Sequence, residues 1–244
     1  MTQKTKNILT ICAVSVTVAI TAILCISTFS YNGGDECKAV IVEITDIGQR
    51  QYTSENSVLQ HIRQQGLNPV GKIFDSINCG RIEQSVAAYE PVRTAECYKT
   101  SGGEIHIRIT QRQPLVRVIT ATDSYFVDSD RRTMSILPSI RTDVLIAEGS
   151  IGTQMAKNEI ADFAEWLQKN DYWRGRITRI AVRSDKNITA FQHSGEPCIV
   201  LGKIIGYKKK LKRLRTFMEA GSEMDIKSYK ELDVSIDGQV IGRN

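Results

Sequence analysis

Residues 104–119 read EIHIRITQRQPLVRVI, and the proline inside this stretch limits what the chain on either side can build. Ile105, Ile107 and Ile109 alternate with His106, Arg108 and Thr110, the period-two pattern of a strand buried on one face. A second apolar run follows at residues 115–119. Between the two stands Pro114, which has no backbone N–H to give to a ladder and is excluded from the middle of a sheet. The stretch is therefore expected to hold two strands with a break at the proline.

The amino terminus sets a second constraint. Residues 8–30 read ILTICAVSVTVAITAILCISTFS and carry no charge. At 1.5 Å per residue a helix of this length spans roughly 33 Å, close to the thickness of a bilayer hydrocarbon core. A cleaved signal peptide usually has a shorter apolar region and a small-x-small cleavage site, and CISTFSYNGG makes a poor one. The segment reads as an uncleaved anchor. Lys4 and Lys6 precede it and Asp35 and Glu36 follow it, so the positive-inside bias places the amino terminus in the cytoplasm and the bulk outside.

Composition adds little beyond class. The chain has 244 residues, 41% hydrophobic and 24% charged, as in ordinary globular proteins. Its net charge of +5 is spread over the chain rather than gathered on one basic face, so no nucleic-acid partner is expected. Of six cysteines, Cys12 and Cys25 fall in the anchor. Cys37, Cys79, Cys97 and Cys198 would face an oxidising compartment, but their spacing has no CxxC or other metal pattern. Cys79 with Cys97 is one pairing that sequence leaves open.

After the Gly33-Gly34 linker, residues 38–44 read as a strand. A short helix follows, with Thr53 or Ser54 to cap it, Val58, Leu59 and Ile62 as its apolar stripe, and Gly66 at its end. A second helix starts near Asn78 and stops at Pro91; residues 92–100, a turn at 101–103 and residues 104–110 then form a hairpin. The order is strand, helix, helix, strand, strand. Beyond residue 115, strands are expected in LVRVIT, SYFVDS, TMSILP, RITRIAVR, ITAFQ and CIVLG. A helix is expected over 153–169, and a basic amphipathic helix over about 207–218. The basic helix reads as a surface helix with a solvated charged face, binding to anionic lipid headgroups being the functional alternative.

Catalytic motifs are missing. The three histidines, His61, His106 and His193, stand at no metal spacing, and there is no HExxH, GxSxG, P-loop or GxGxxG. Asp128 and Asp130 in VDSD fit a β-turn better than a metal loop. No enzyme activity, cofactor or metal is expected.

The order of elements resembles the FtsQ/DivIB family of bacterial cell-division proteins. Residues 77–119 resemble the family run in which a helix is followed by a glycine turn, an alternating strand and E-R-x-P, here Gln111-Arg112-Gln113-Pro114. YFVDSD resembles Y-x-V-D-x-x-G, with Arg131 at the glycine position, and IVLGK and LDVSIDGQV resemble two late strands. The resemblance implies an α+β fold: an N-terminal transmembrane helix, a POTRA domain of β-α-α-β-β order, then a mostly antiparallel β domain with flanking helices. The expected divisions are 1–7 cytoplasmic tail, 8–30 anchor, 31–37 linker, 38–113 POTRA domain and 114–244 β domain. Pro114 would then mark where the chain leaves one sheet for another.

The resemblance also implies a non-enzymatic scaffold at the septum of the inner membrane. It would bind FtsB-like and FtsL-like single-pass partners and other divisome components, and through them help control septal peptidoglycan synthesis. In the family, partners are captured by strand addition near the end of the β domain, which matches residues 233–240 here. Asp233, Ser235, Ile236 and Gln239 are expected to line or flank the contact, with Arg183 as a further candidate. The alternatives are a POTRA-type envelope assembly factor that binds nascent β-strands and a membrane-anchored extracytoplasmic enzyme.

Overall fold

A computed structural model describes residues 36–46, 52–136, 143–221, 226 and 228–244. The expected tail and anchor, 1–30, and the expected linker as far as residue 35 lie outside the described residues, while Cys37, expected in that linker, is buried in the core of the first unit. Among those described, no helix is long and apolar enough to cross a membrane.

The first unit is a three-stranded sheet under two helices. β1 (Ala39–Ile44) runs parallel to β3 (Glu104–Gln111), which lies in the centre and pairs antiparallel with β2 (Val92–Lys99). The alternation expected for residues 105–109 is realised: Ile105, Ile107 and Ile109 are all buried beneath the helices. Full burial of an isoleucine side chain is worth roughly 1.5–3 kcal/mol, so this one face supplies much of the unit's stability. Helix α1 (Glu55–Gln64) is capped by Ser54, whose hydroxyl accepts the Ser57 N–H at 3.1 Å. Helix α2 (Cys79–Ala88) is capped by Asn78 in the same way. Val58 and Ile62 on α1 and Ile82 and Val86 on α2 complete the core.

β4 (Pro114–Ile119) opens on the proline and belongs to a different, nine-stranded sheet. Pro114 is the first residue of its strand, where its missing N–H costs no ladder bond. The junction before it is polar and buried. Gln111 accepts the backbone N–H groups of Tyr52 (2.6 Å) and Thr53 (2.9 Å) on its amide oxygen. Its amide nitrogen donates to Asp46 at 3.3 Å, and its backbone N–H donates to the other Asp46 oxygen at 2.9 Å. The E-R-x-P pattern has a carboxylate here. Beside Asp46, a second carboxylate would lose a donor and add a like charge, so glutamine fits the surroundings.

The strand order of the large sheet is β12-β11-β10-β9-β8-β7-β4-β5-β6. These are β5 (Ser124–Asp128), β6 (Thr133–Ser135), β7 (Leu145–Gly149), β8 (Ile177–Val182), β9 (Ile188–Gln192), β10 (Gly195–Gly202), β11 (Glu231–Asp233) and β12 (Ile241–Arg243). The sheet is mostly antiparallel, as the resemblance implies, but three of its eight joints, β4/β7, β7/β8 and β10/β11, are parallel. Parallel neighbours need a crossover, and two of these joints are bridged by helices. Helix α3 spans residues 153–169, with a π-helical stretch at Ala156–Ile160, and joins β7 to β8. Helix α4 (Tyr207–Ala220) joins β10 to β11. The two helices meet where the Phe163 and Tyr207 rings stand edge to face, with centroids 5.0 Å apart. Phe163 and Leu167 from α3, and Leu211 and Leu214 from α4, pack on Val116, Val118, Ala147, Ile180, Ala190 and Ile199 of the sheet.

β7 is a central strand that the sequence pattern did not single out. In LIAEG only Leu145 and Ala147 are buried, too few for a periodic signal. Arg131, at the position where the related motif has glycine, adopts φ 61° in the β5–β6 turn. A left-handed non-glycine residue costs about 1–2 kcal/mol. The same backbone aims its guanidinium at α3, where it meets Asp162 and Glu165 at 2.6 Å each. Asp128 forms a turn: its Oδ1 accepts the N–H groups of Asp130 and Arg132.

Candidate partner-binding edge

The last two strands make a hairpin at one end of the large sheet. β11 continues parallel to β10, and Val234 extends that contact by donating to Val200 O at 2.9 Å. The chain then turns through residues 235–240 and returns as β12, antiparallel to β11. Gly238, with φ 77°, takes the third position of a turn closed by Gln239 N–H to Ile236 O. Asp-Gly flanked by apolar residues is a hairpin signal, and it locates a turn where an unbroken strand over 233–240 had been expected.

This corrects the placement of the sequence-derived site. Only Asp233 lies in a strand; Ser235, Ile236 and Gln239 lie in the turn, and the edge strand is Ile241–Arg243. Ile236 is exposed, whereas Val234 is fully buried. Arg183 begins the β8–β9 turn, accepting on its backbone O the Lys186 N–H. It shares an end of the sheet with residues 235–239, but β9 and β10 stand between.

Asp233 organises the hairpin instead of facing outward. Its carboxylate is buried, accepts the Ser235 N–H at 2.8 Å and meets Arg243 Nη2 at 3.0 Å. Burial alone would raise this carboxyl; the bonds from Ser235 and the Arg243 guanidinium outweigh it and hold the group below its ordinary range. Arg243 also reaches Glu231 at 2.5 Å, so one edge side chain grips both ends of β11. Gly242 lies under the Tyr229 ring, where a Cβ would come within 2.4 Å of Cε1; only glycine lets the ring cover the strand this closely.

The basic helix holds the turn. From α4, Arg213 donates to Val234 O (3.0 Å) and Ile236 O (2.8 Å) and pairs with Asp237 at 3.2 Å. Lys210 donates to the carbonyls of Leu201 and Lys203, at the end of β10. Burial, and then the neighbouring Arg213 charge, push the Lys210 ammonium below its ordinary range. Two of the charges expected to form a solvated face are thus structural. No local signal in the sequence distinguishes Arg213 from its basic neighbours, and Ile241, Gly242 and Arg243 lie just beyond the stretch expected to hold the site.

β12 pairs only with β11 among the described residues, leaving its outer side without a strand. Arg243 turns its carbonyl inward to Lys230 N–H (2.9 Å), so by strand alternation Gly242 turns its N–H and C=O outward. Such an edge can accept another strand through its backbone. Two of the three histidines make packing contacts: His61 bonds Ser85 O and stacks on Tyr89, and His106 stacks on Tyr98. Among the described residues, no group of three or more His, Cys, Asp or Glu is placed to hold a metal.

The architecture is a two-helix α+β unit followed by a mixed nine-stranded sheet that ends on β12. The family model described as FtsQ/DivIB, C-terminal related, matches residues 113–243, more than half of the chain, and a POTRA-like domain matches residues 35–110. The chain belongs to the FtsQ/DivIB family. Comparison with curated proteins finds no match.

Proposed function

We propose that this protein is a non-enzymatic scaffold of the bacterial division machinery that captures an FtsB-like partner by strand addition along β12, with FtsL-like and other division proteins joining through that partner. In this reading residues 8–30 anchor the chain in the cytoplasmic membrane, with residues 38–113 and 114–244 as the two exported domains. The assembly helps control septal peptidoglycan synthesis. The carrying observation is the outer side of β12, which lacks a partner strand among the described residues while its inner side is fixed by Arg243. Backbone groups along the edge give affinity, and Ile236 in the adjoining turn offers an exposed apolar contact.

Hydrogen exchange tests the reading. With the full chain and an FtsB-like partner in detergent, the Gly242 amide is expected to slow at least tenfold on binding. Binding that leaves residues 241–243 unprotected would sink the strand-addition model. In cells, a tag on Met1 is expected to form a midcell band, and depletion is expected to produce filaments. Uniform envelope signal with normal division would sink the division role.

A further inference from the structure

Three of the four cysteines among the described residues converge on the first unit. Cys37, just before β1, is 2% exposed and its thiol donates to Ala39 O at 3.4 Å. Cys79 is the first residue of α2, and Cys97 lies on β2, where the ladder sets it opposite Ile107. Cys79 and Cys97 pack against the same core. Glu83, one turn along α2 from Cys79, accepts the Cys97 backbone N–H at 3.1 Å, which holds the first turn of α2 over β2 at this point. Both thiols are free in this structure, and Cys79 lies near enough to act on the Cys97 thiol. Cys198 lies apart from them in sequence and fold, on β10 of the other sheet.

We propose that Cys79 and Cys97 are joined by a disulfide in the exported protein, pinning the start of α2 to β2. This rests on the reading that the chain beyond the anchor is outside the cytoplasm, where disulfides persist. The oxidant is a disulfide carrier: a protein dithiol oxidase in the cell, or oxidised glutathione in vitro. One cysteine loses its proton and attacks the carrier, breaking its S–S bond and releasing one carrier thiolate. The other cysteine loses its proton and displaces the second carrier sulfur. Two cysteine thiols are thus oxidised, and one carrier disulfide becomes two thiols. Either cysteine can make the first attack, and the other then completes the bond.

The full 244-residue chain, purified in detergent under reducing conditions, is treated with oxidised glutathione, alkylated and digested without reductant. A peptide pair linking Cys79 to Cys97 is expected, in the native chain and in Cys37→Ser. Reduction is expected to lower the melting temperature by about 5–10 °C. Alkylation of both Cys79 and Cys97 after oxidation, or a link from Cys79 to Cys37, would overturn the proposal. Alkylation of acid-quenched cells separates this from the location. A chain that links in vitro but is alkylated at both positions in cells keeps the pairing and overturns the exported reading.

Discussion

The two ends of the nine-stranded sheet are finished in opposite ways. At one end β6 is stoppered by the first unit: Glu90 accepts the Ser135 N–H at 2.5 Å, and Tyr52 packs with Phe126 and Met134 across β5 and β6. At the other end, Arg243 and Arg213 brace the hairpin from within, while the outer backbone of β12 meets no strand among the described residues. An unprotected strand edge invites unwanted pairing, so one edge is covered, and the other is short and carries a charged residue. The difference marks the β12 side as the place where pairing is available.

The closed end is the more sensitive to a single change. Gln111 holds the backbone of Tyr52 and Thr53, so Gln111→Leu orphans two buried N–H groups and frees the tyrosine that covers β5 and β6. Denaturant unfolding is expected to show a loss of about 3 kcal/mol. If stability is unchanged, the junction does not close that end.

At the open end, Arg213→Met keeps most of the side-chain volume but removes the bonds to Val234 O and Ile236 O. The expected loss is about 1–2 kcal/mol, because the exposed Ile236 carbonyl recovers water while the Val234 carbonyl does not. Partner affinity is expected to fall more steeply than stability, as read by titration calorimetry. Equal falls would mean that the turn does not position the edge.

Acid gives a smaller effect. The folded Asp233 carboxyl is held below its ordinary range, so its contribution is complete above an unfolded value of about 3.9 and is lost as pH falls through the folded value. Asp233→Asn is therefore expected to be less stable than the native chain at neutral pH, with the gap closing only below about pH 4. A gap that does not change with pH would mean that the ionised carboxylate is not what pins β12.

Glu90→Ala is expected to have the smallest effect, about 0.5 kcal/mol, since Ser135 is exposed and its N–H finds water. Faster exchange of the Ser135 amide, with partner binding unchanged, would keep the two ends distinct in function. Loss of partner binding would merge them.

Much of the first unit was legible because its signals are local. Ile105, Ile107 and Ile109 show their face by alternation, Ser54 and Asn78 mark helix starts, and Pro114 marks the end of one ladder and the start of another. The candidate edge was less so. Residues 233–240 fold as a strand end and a turn and not as one strand, because Asp237-Gly238 carries the chain through a tight turn. β7 offered only two buried side chains, and Arg213 resembled any other cation in a basic run.

By itself, the sequence determined the alternating strand faces, the helix caps and stripes, and the break at Pro114, since each follows from backbone chemistry within a few residues. Only the tertiary structure decided that three joints of the large sheet are parallel, that Glu90 and Tyr52 close one edge, and that Arg213 crosses from α4 to hold the turn before the other. These depend on which distant segments meet, and a strand's own pattern states which face is buried but not which neighbour lies beside it.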